Sequence, residues 1–147
     1  MKLPALSGLL LLTLLTITAC SQRTPDMKKR VMQPCGDKPN CVSTIDERQK
    51  FHLAPYQLVG DVSIEQVAKA ALQIPRSKVI AQEGNYLHIE CTSKILRFVD
   101  DLELEINGTT LIVRSESRVG RSDFGVNRKR ADQLRSILLA HGLISGN

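Results

Sequence analysis

Hydrophobic and polar positions change period several times along this chain. Ile64, Val67, Ala68, Ala71 and Leu72 fall on one helical face. Ser63-Ile64-Glu65-Gln66 in front of them has the form of a capping box, and Pro75 stops the run. Strand signals follow. Val79 to Gln82 is a brief β-like stretch, and Gly84-Asn85 marks a turn. Tyr86 to Ser93 alternates Leu87, Ile89 and Cys91 against Tyr86, His88, Glu90 and Thr92. Leu96 to Ile106 places Leu96, Phe98, Leu102, Leu104 and Ile106 on one face. Asn107-Gly108 is a strong hairpin signal, after which Thr109 to Arg118 returns with Leu111 and Val113 inward. Asn127 to His141 is a helix with Ala131, Leu134, Ile137, Leu138 and His141 on one stripe, and Gly142 at its stop. This order predicts an α+β fold: a two-layer sandwich with an antiparallel sheet of three to five strands and two helices on one face.

One position breaks the pattern. Alternation demands an apolar residue between Phe98 and Leu102, and Asp100 stands there. Ser115 and Ser117 share the inward face of the next strand, so a carboxylate and two hydroxyls are expected to meet. A buried carboxylate must be paired, and Arg118, Arg121, Arg128 and Arg130 are the available partners. A β-bulge would decide whether Asp100 or Asp101 points inward, so the two are treated as one site. On the opposite face Arg97, Glu103, Glu105, Arg114 and Glu116 are expected to form an exposed charge ladder.

The run Arg114 to Arg130 (RSESRVGRSDFGVNRKR) carries most of the unusual chemistry. Gly120 and Gly125 let backbone N–H groups converge just before a helix N-terminus, where an anion is favoured. Arginine forks suit phosphate or carboxylate. The expected ligand-binding set is Asp100, Asp101, Ser115, Ser117, Arg118, Arg121, Asp123, Asn127, Arg128 and Arg130. The same residues would equally serve to lock the loop onto the sheet. The spacing is not that of a P-loop or a dinucleotide fingerprint.

Catalysis is disfavoured. Ser115 or Ser117 with Asp100 lacks an obvious general base, since His52, His88 and His141 are scattered, and no G-x-S-x-G elbow exists. A hydrolase using Asp100, Asp101 or Asp123 with Ser115 or Ser117 is the alternative, although adjacent strand residues point apart. A purely structural envelope protein is a second alternative. No cofactor is implied.

The N-terminus supplies an address. Lys2, the apolar run Leu9 to Ile17 and the small residues before Cys20 form a leader over residues 1–19, whose apolar run is too short to span a bilayer. Ala19-Cys20 resembles the lipobox of bacterial lipoproteins, which implies cleavage and acylation at Cys20. Ser21, where Asp would retain the chain at the inner membrane, implies an outer-membrane lipoprotein facing the periplasm. Residues 20–34 are charged and proline-containing and read as a flexible tether. Residues 35–147 form one domain.

Without Lys2 the chain has 19 basic against 15 acidic residues, a net +4, too mild to argue for nucleic acid. With no Trp, two Tyr and three Phe, aliphatic residues must carry the core. Turn formers between Cys35 and Cys41 can bring the two within disulfide range in an oxidising compartment. Zinc is disfavoured because the histidines lack ligand spacing. Cys91 falls in a strand as a small buried hydrophobe.

A longer resemblance joins these features. Cys35, Pro39-Asn40-Cys41-Val42-Ser43-Thr44, Phe98 with Asp100-Asp101, Arg114-Ser115, Ser117-Arg118, Gly120, Ser122-Asp123, Gly125-Val126-Asn127-Arg128 and Arg130 resemble the domain-of-unknown-function family numbered 1499. The likeness runs from Cys35 to Leu139 and departs at Gly36, where the family often has proline. It implies an envelope context, no established reaction, and one shared pattern linking the cysteine loop, the Asp pair and the Arg-rich run. The expected partners are therefore the bilayer, through acylated Cys20, and an anionic envelope ligand or envelope protein.

Overall fold

A computed structural model describes residues 28–146; the expected leader, Cys20 and the first part of the expected tether lie outside this range. The elements are α1 (Lys28–Val31), β1 (Cys41–Ser43), β2 (Tyr56–Gln57), α2 (Ile64–Ala71), β3 (Ser77–Glu83), β4 (Tyr86–Thr92), β5 (Val99–Asn107), β6 (Thr110–Ser117) and α3 (Val126–Ala140). The strands pair antiparallel in one sheet, in the order β1-β6-β5-β4-β3, with β2 also on β6. The fold is α+β. Its sheet has six strands rather than three to five, because β1 and β2 are three and two residues long. Such short pieces carry no period-2 signal and are extended only because β6 offers them a ladder.

Local signals position the rest. The Ser63 hydroxyl accepts from Gln66 N and the Gln66 side chain accepts from Ser63 N, completing the capping box of α2. Gly84-Asn85 joins β3 to β4. The β5–β6 turn is centred on Gly108-Thr109, one residue later than expected, because Asn107 pairs with Thr110 and Gly108 takes a left-handed φ of 59°. β5 begins at Val99, not Leu96: residues 93–98 form a loop in which Leu96 and Phe98 are exposed and Arg97 has a φ of 56°. Their side-chain parity continues that of the strand, but the pairing does not.

On the core face the cross-strand rows Leu87–Leu104–Val113 and Ile89–Leu102–Ser115 lie beneath α2 and α3. Ala131, Leu134 and Leu138 of α3 are buried, Ile137 is half-buried, and His141 is exposed instead of joining the stripe. The Tyr56 hydroxyl donates to Ala131 O at 2.8 Å and ties β2 to α3.

The second face is covered too, which corrects the tether reading for residues 28–34. Val31 is 0 % exposed and packs on Tyr86 and Ile112, while Arg114 Nη1 donates to Gln33 O at 2.8 Å. Arg30 pairs with Glu116. Beyond α1, a disulfide joins Cys35 to Cys41 with 5.8 Å between their Cα atoms, and it packs on Phe51. The Asp46 carboxylate accepts from Cys35 N at 2.8 Å and from Arg48, whose hydrogen bond holds it down to about 2 despite burial. Cys91 is buried, and burial pushes its thiol up to about 11.

A tether residue would tolerate truncation within about 0.5 kcal/mol. Val31→Ala is expected instead to lower unfolding free energy by about 2 kcal/mol, two buried methyl groups plus a cavity, measured by urea denaturation.

Candidate functional site

The polar end of the core face is a row across three strands, Cys91–Asp100–Ser117. Asp100 is buried, as its place in the alternation requires, and α3 supplies its partner. Arg130 Nη2 donates to Asp100 Oδ2 at 2.6 Å, while Nη1 donates to Asn127 Oδ1 at 2.6 Å and Ser115 Oγ at 3.1 Å. Arg130 and Asn127 sit three residues apart on the helix and so face the sheet together. Ser115 Oγ donates to Asn127 Oδ1 at 2.6 Å. Asn127 Nδ2 in turn donates to Ser117 Oγ at 2.9 Å and to Asn40 O at 3.0 Å. Asn40, part of the resemblance but absent from the expected ligand-binding set, also donates from Nδ2 to Ser117 O at 3.2 Å. Its only signal was its place in the Pro39-Asn40-Cys41 turn.

The helix N-terminus already holds an anion of its own. Asp123 Oδ1 accepts from Gly125 N at 2.9 Å, and Oδ2 accepts from Asn127 N and Asn127 Nδ2, both at 2.8 Å. The N-cap residue is Gly125, at a φ of 81°, which brings no side chain, so Asp123 satisfies the orphan donors from two residues back.

Asp101 belongs elsewhere. The register of β5 against β4 and β6 is regular here, so Asp100 and Asp101 point to opposite faces and the single-site reading is corrected. Asp101 Oδ1 accepts from His88 Nε2 at 2.7 Å and from Arg118 Nη2 at 2.7 Å. Arg118 Nε donates to Asp101 Oδ2 at 2.9 Å and Nη2 also reaches Glu90 Oε1 at 2.6 Å. Burial would raise the Asp101 carboxyl, but the His88 and Arg118 hydrogen bonds outweigh it and hold it below the usual range. Arg118 is raised by the same bonds.

The expected exposed ladder on this face is likewise corrected. Glu103 is 1 % and Arg114 3 % exposed, because α1 and the Gln33 segment after it pack on this part of β5 and β6, and Arg97 is in a loop. Burial pushes the Glu103 carboxyl up to about 7 against the pull of Arg30 and Arg114. Burial, with the Arg30 charge, brings Arg114 down to about 10, and its Nε has no hydrogen-bond partner. Tyr86 donates its hydroxyl to Glu103 Oε2 at 3.3 Å.

Of the expected set, Asp100, Ser115, Ser117, Asp123, Asn127 and Arg130 therefore come together, and Asp101 with Arg118 forms a separate cluster. Arg128 donates to His52 O at 2.9 Å and Lys50 O at 3.1 Å, pinning α3 to the β1–β2 loop, and Arg121 is exposed on the β6–α3 loop. None of the three histidines bonds to Ser115 or Ser117. His52 donates to Asp46 O, His88 to Asp101, and His141 accepts from Gln73. Among the described residues no group of three or more His, Cys, Asp or Glu is placed to hold a metal ion.

Above the Asp100–Ser117 end lies a groove of about 790 Å³ between the β4–β5 and β6–α3 loops. Ile95, Leu96, Phe98, Val119, Phe124 and Val126 form its walls, with Asp100, Ser117 and Asp123 at its floor. Large pockets lined by apolar side chains with a few convergent polar groups are the usual form of a binding site. The apolar loop residues were its sequence signal, and a strand assignment concealed them.

A family model described as protein of unknown function (DUF1499) matches residues 31–138, well over half of the 147. The chain belongs to the DUF1499 family. The match opens at Val31, the last residue of α1 and the one that plugs the second face. It contains the whole Asp100–Arg130–Asn127 network and both loops of the groove. No curated protein and no solved structure matches the chain.

Breaking one partner of a buried pair leaves the other charge unmet, so Asp100→Asn is expected to lower the stability of the DUF1499 domain by about 3–5 kcal/mol in urea. An Asp100→Leu/Arg130→Met double variant should recover most of that loss if the network acts through charge pairing.

Glu103 makes a prediction of opposite sign to the salt-bridged acids. Its folded form holds the proton more tightly than the unfolded chain, whose value is near 4.5. This contribution is complete below about 4.5 and is lost as pH rises through about 7. Glu103→Gln should therefore remove a decline on the order of 2 kcal/mol in urea-unfolding free energy between pH 5 and pH 8. An unchanged slope in the variant would place the titration on another group.

Proposed function

We propose that the chain is a lipid-anchored, periplasm-facing binding module without catalytic activity, and that an anionic envelope ligand or an envelope protein is received in the groove between the β4–β5 and β6–α3 loops. The observation that carries this reading is the groove itself: apolar walls stand over a polar floor whose hydrogen bonds are already internal. A serine whose hydroxyl is engaged by an asparagine, with no histidine bonded to it, lacks the adjacent base of a Ser–His nucleophile. The Asp100–Arg130–Asn127 network and the Asp123 cap then serve as the scaffold that fixes both loops. Arg121, Lys94 and Arg97 are exposed on those loops and supply the positive charge for an anionic partner. The anchor rests on the lipobox-like Ala19-Cys20 junction, and Ser21 favours the outer membrane.

Two measurements in bacterial cells expressing the chain test this. Cys20→Ser should shift the protein from the membrane to the soluble periplasmic fraction. A photoactivatable residue at position 124 should give a discrete crosslinked species, while the same residue at position 59, exposed on a distant loop, should give none. Identical patterns from both positions would remove the groove from consideration.

A further inference from the structure

Six of the twelve large apolar side chains exposed among the described residues stand at this one groove. The most prominent are Phe124, 91 % exposed, Ile95, 84 %, and Leu96, 68 %. Phe124 is disfavoured twice in the free protein, by a φ of 52°, which a bulky residue rarely adopts, and by a ring left in water. Burying the ring against something apolar would remove the second of these disadvantages.

Charge selects what that is. The two loops carry Lys94, Arg97, Arg118, Arg121 and a single acid, Asp123. Asp123 is turned inward onto the start of α3, and Arg118 is turned onto Asp101 and Glu90. The outward charge beside the apolar tips is therefore Lys94, Arg97 and Arg121. Along Lys94-Ile95-Leu96-Arg97-Phe98 basic and apolar positions interleave. A protein interface core is depleted of lysine, although arginine is enriched there. Interleaving instead suits the headgroup boundary of an anionic bilayer, where apolar tips enter the acyl region and basic side chains stretch back to phosphates.

From this we infer that the two loops form a membrane-docking surface, which seats the groove end of the domain on an anionic lipid leaflet. The inference rests on the envelope address proposed above. The eight residue-to-residue steps from Cys20 to Lys28 reach at most about 28 Å when extended, which would hold the domain within range of the surface that carries its anchor.

The chain contains no Trp, so Phe124→Trp in the full acylated protein gives a sole indole at the tip. Vesicles of phosphatidylethanolamine with phosphatidylglycerol, and vesicles of phosphatidylcholine, would each carry acyl-brominated lipid. On the anionic vesicles the indole should shift to the blue and be quenched roughly twofold, as for a side chain at the acyl boundary. Adding Lys94→Gln, Arg97→Gln and Arg121→Gln should return it to the phosphatidylcholine value. Ile95→Trp, read alongside, guards against a local effect at position 124. An unquenched, water-like indole at both positions, on a chain held to vesicles by its anchor, would overturn the docking. A shift produced by monomeric lysophosphatidylglycerol but not by vesicles would also overturn it, while leaving the groove as a ligand site. An unmodified mass at Cys20 would count against the anchor alone, because the indole signal is read on added vesicles either way.

Discussion

A guanidinium cannot be left dry. Arg130 is buried against the sheet, and the way its fork is answered arranges everything at this end of the molecule. Nη2 takes Asp100, and Nη1 takes Asn127 and Ser115. Asn127, fixed by that contact, spends its amide on Ser117, Asn40 and Asp123. Five segments are joined by one helical turn: β5, β6, the residue before β1, the β6–α3 loop and α3. Replacing such a network by apolar residues need not destabilise a fold. What it specifies here is register, because only one rotation of α3 lets Asn127 and Arg130 meet their partners together.

The pleat divides the remaining polar chemistry. Successive residues of β5 alternate between faces, so Asp100 joins this network while Asp101 joins His88 and Arg118 on the other side. Both carboxylates are buried, yet they never share a partner. The second face carries the less comfortable arrangement, with the Glu103 carboxyl raised by burial to about 7 and Arg114 lowered beside it. That face is tolerable because Val31 seals one part of it and the carbonyl of Gln33 and the carboxylate of Glu116 answer Arg114.

What the sequence could and could not convey follows from the range of each interaction. The α2 capping box and the β3–β4 turn are complete within a few residues, and both are formed where they were expected. Asp100 was visible as an anomaly because strand parity is rigid, and Arg130 was among its expected partners. Val31 was hidden, since a single apolar pair inside KKRVMQ carries no periodic signal and the Val31 pocket is built by Tyr86 and Ile112, far along the chain. The burial of Glu103 and Arg114 was hidden for the same reason. Leu96 and Phe98 misled in another way. Parity matched the strand, but nothing local announces that Arg97 turns left-handed and that pairing starts at Val99.

The saturation of the polar floor bears directly on what the groove can select. An anion arriving at α3 would have to displace Asp123 from three donors, and one arriving at Arg130 would have to displace Asp100. Either exchange strands a buried carboxylate, which is costly. The unmet surface lies instead in the loops, as apolar side chains in water and basic side chains beside them. Affinity at this end must therefore come from apolar burial, with charge acting at the rim and through orientation. A partner that is apolar within and anionic at its boundary meets both demands at once, and the scaffold below would not need to move to receive it.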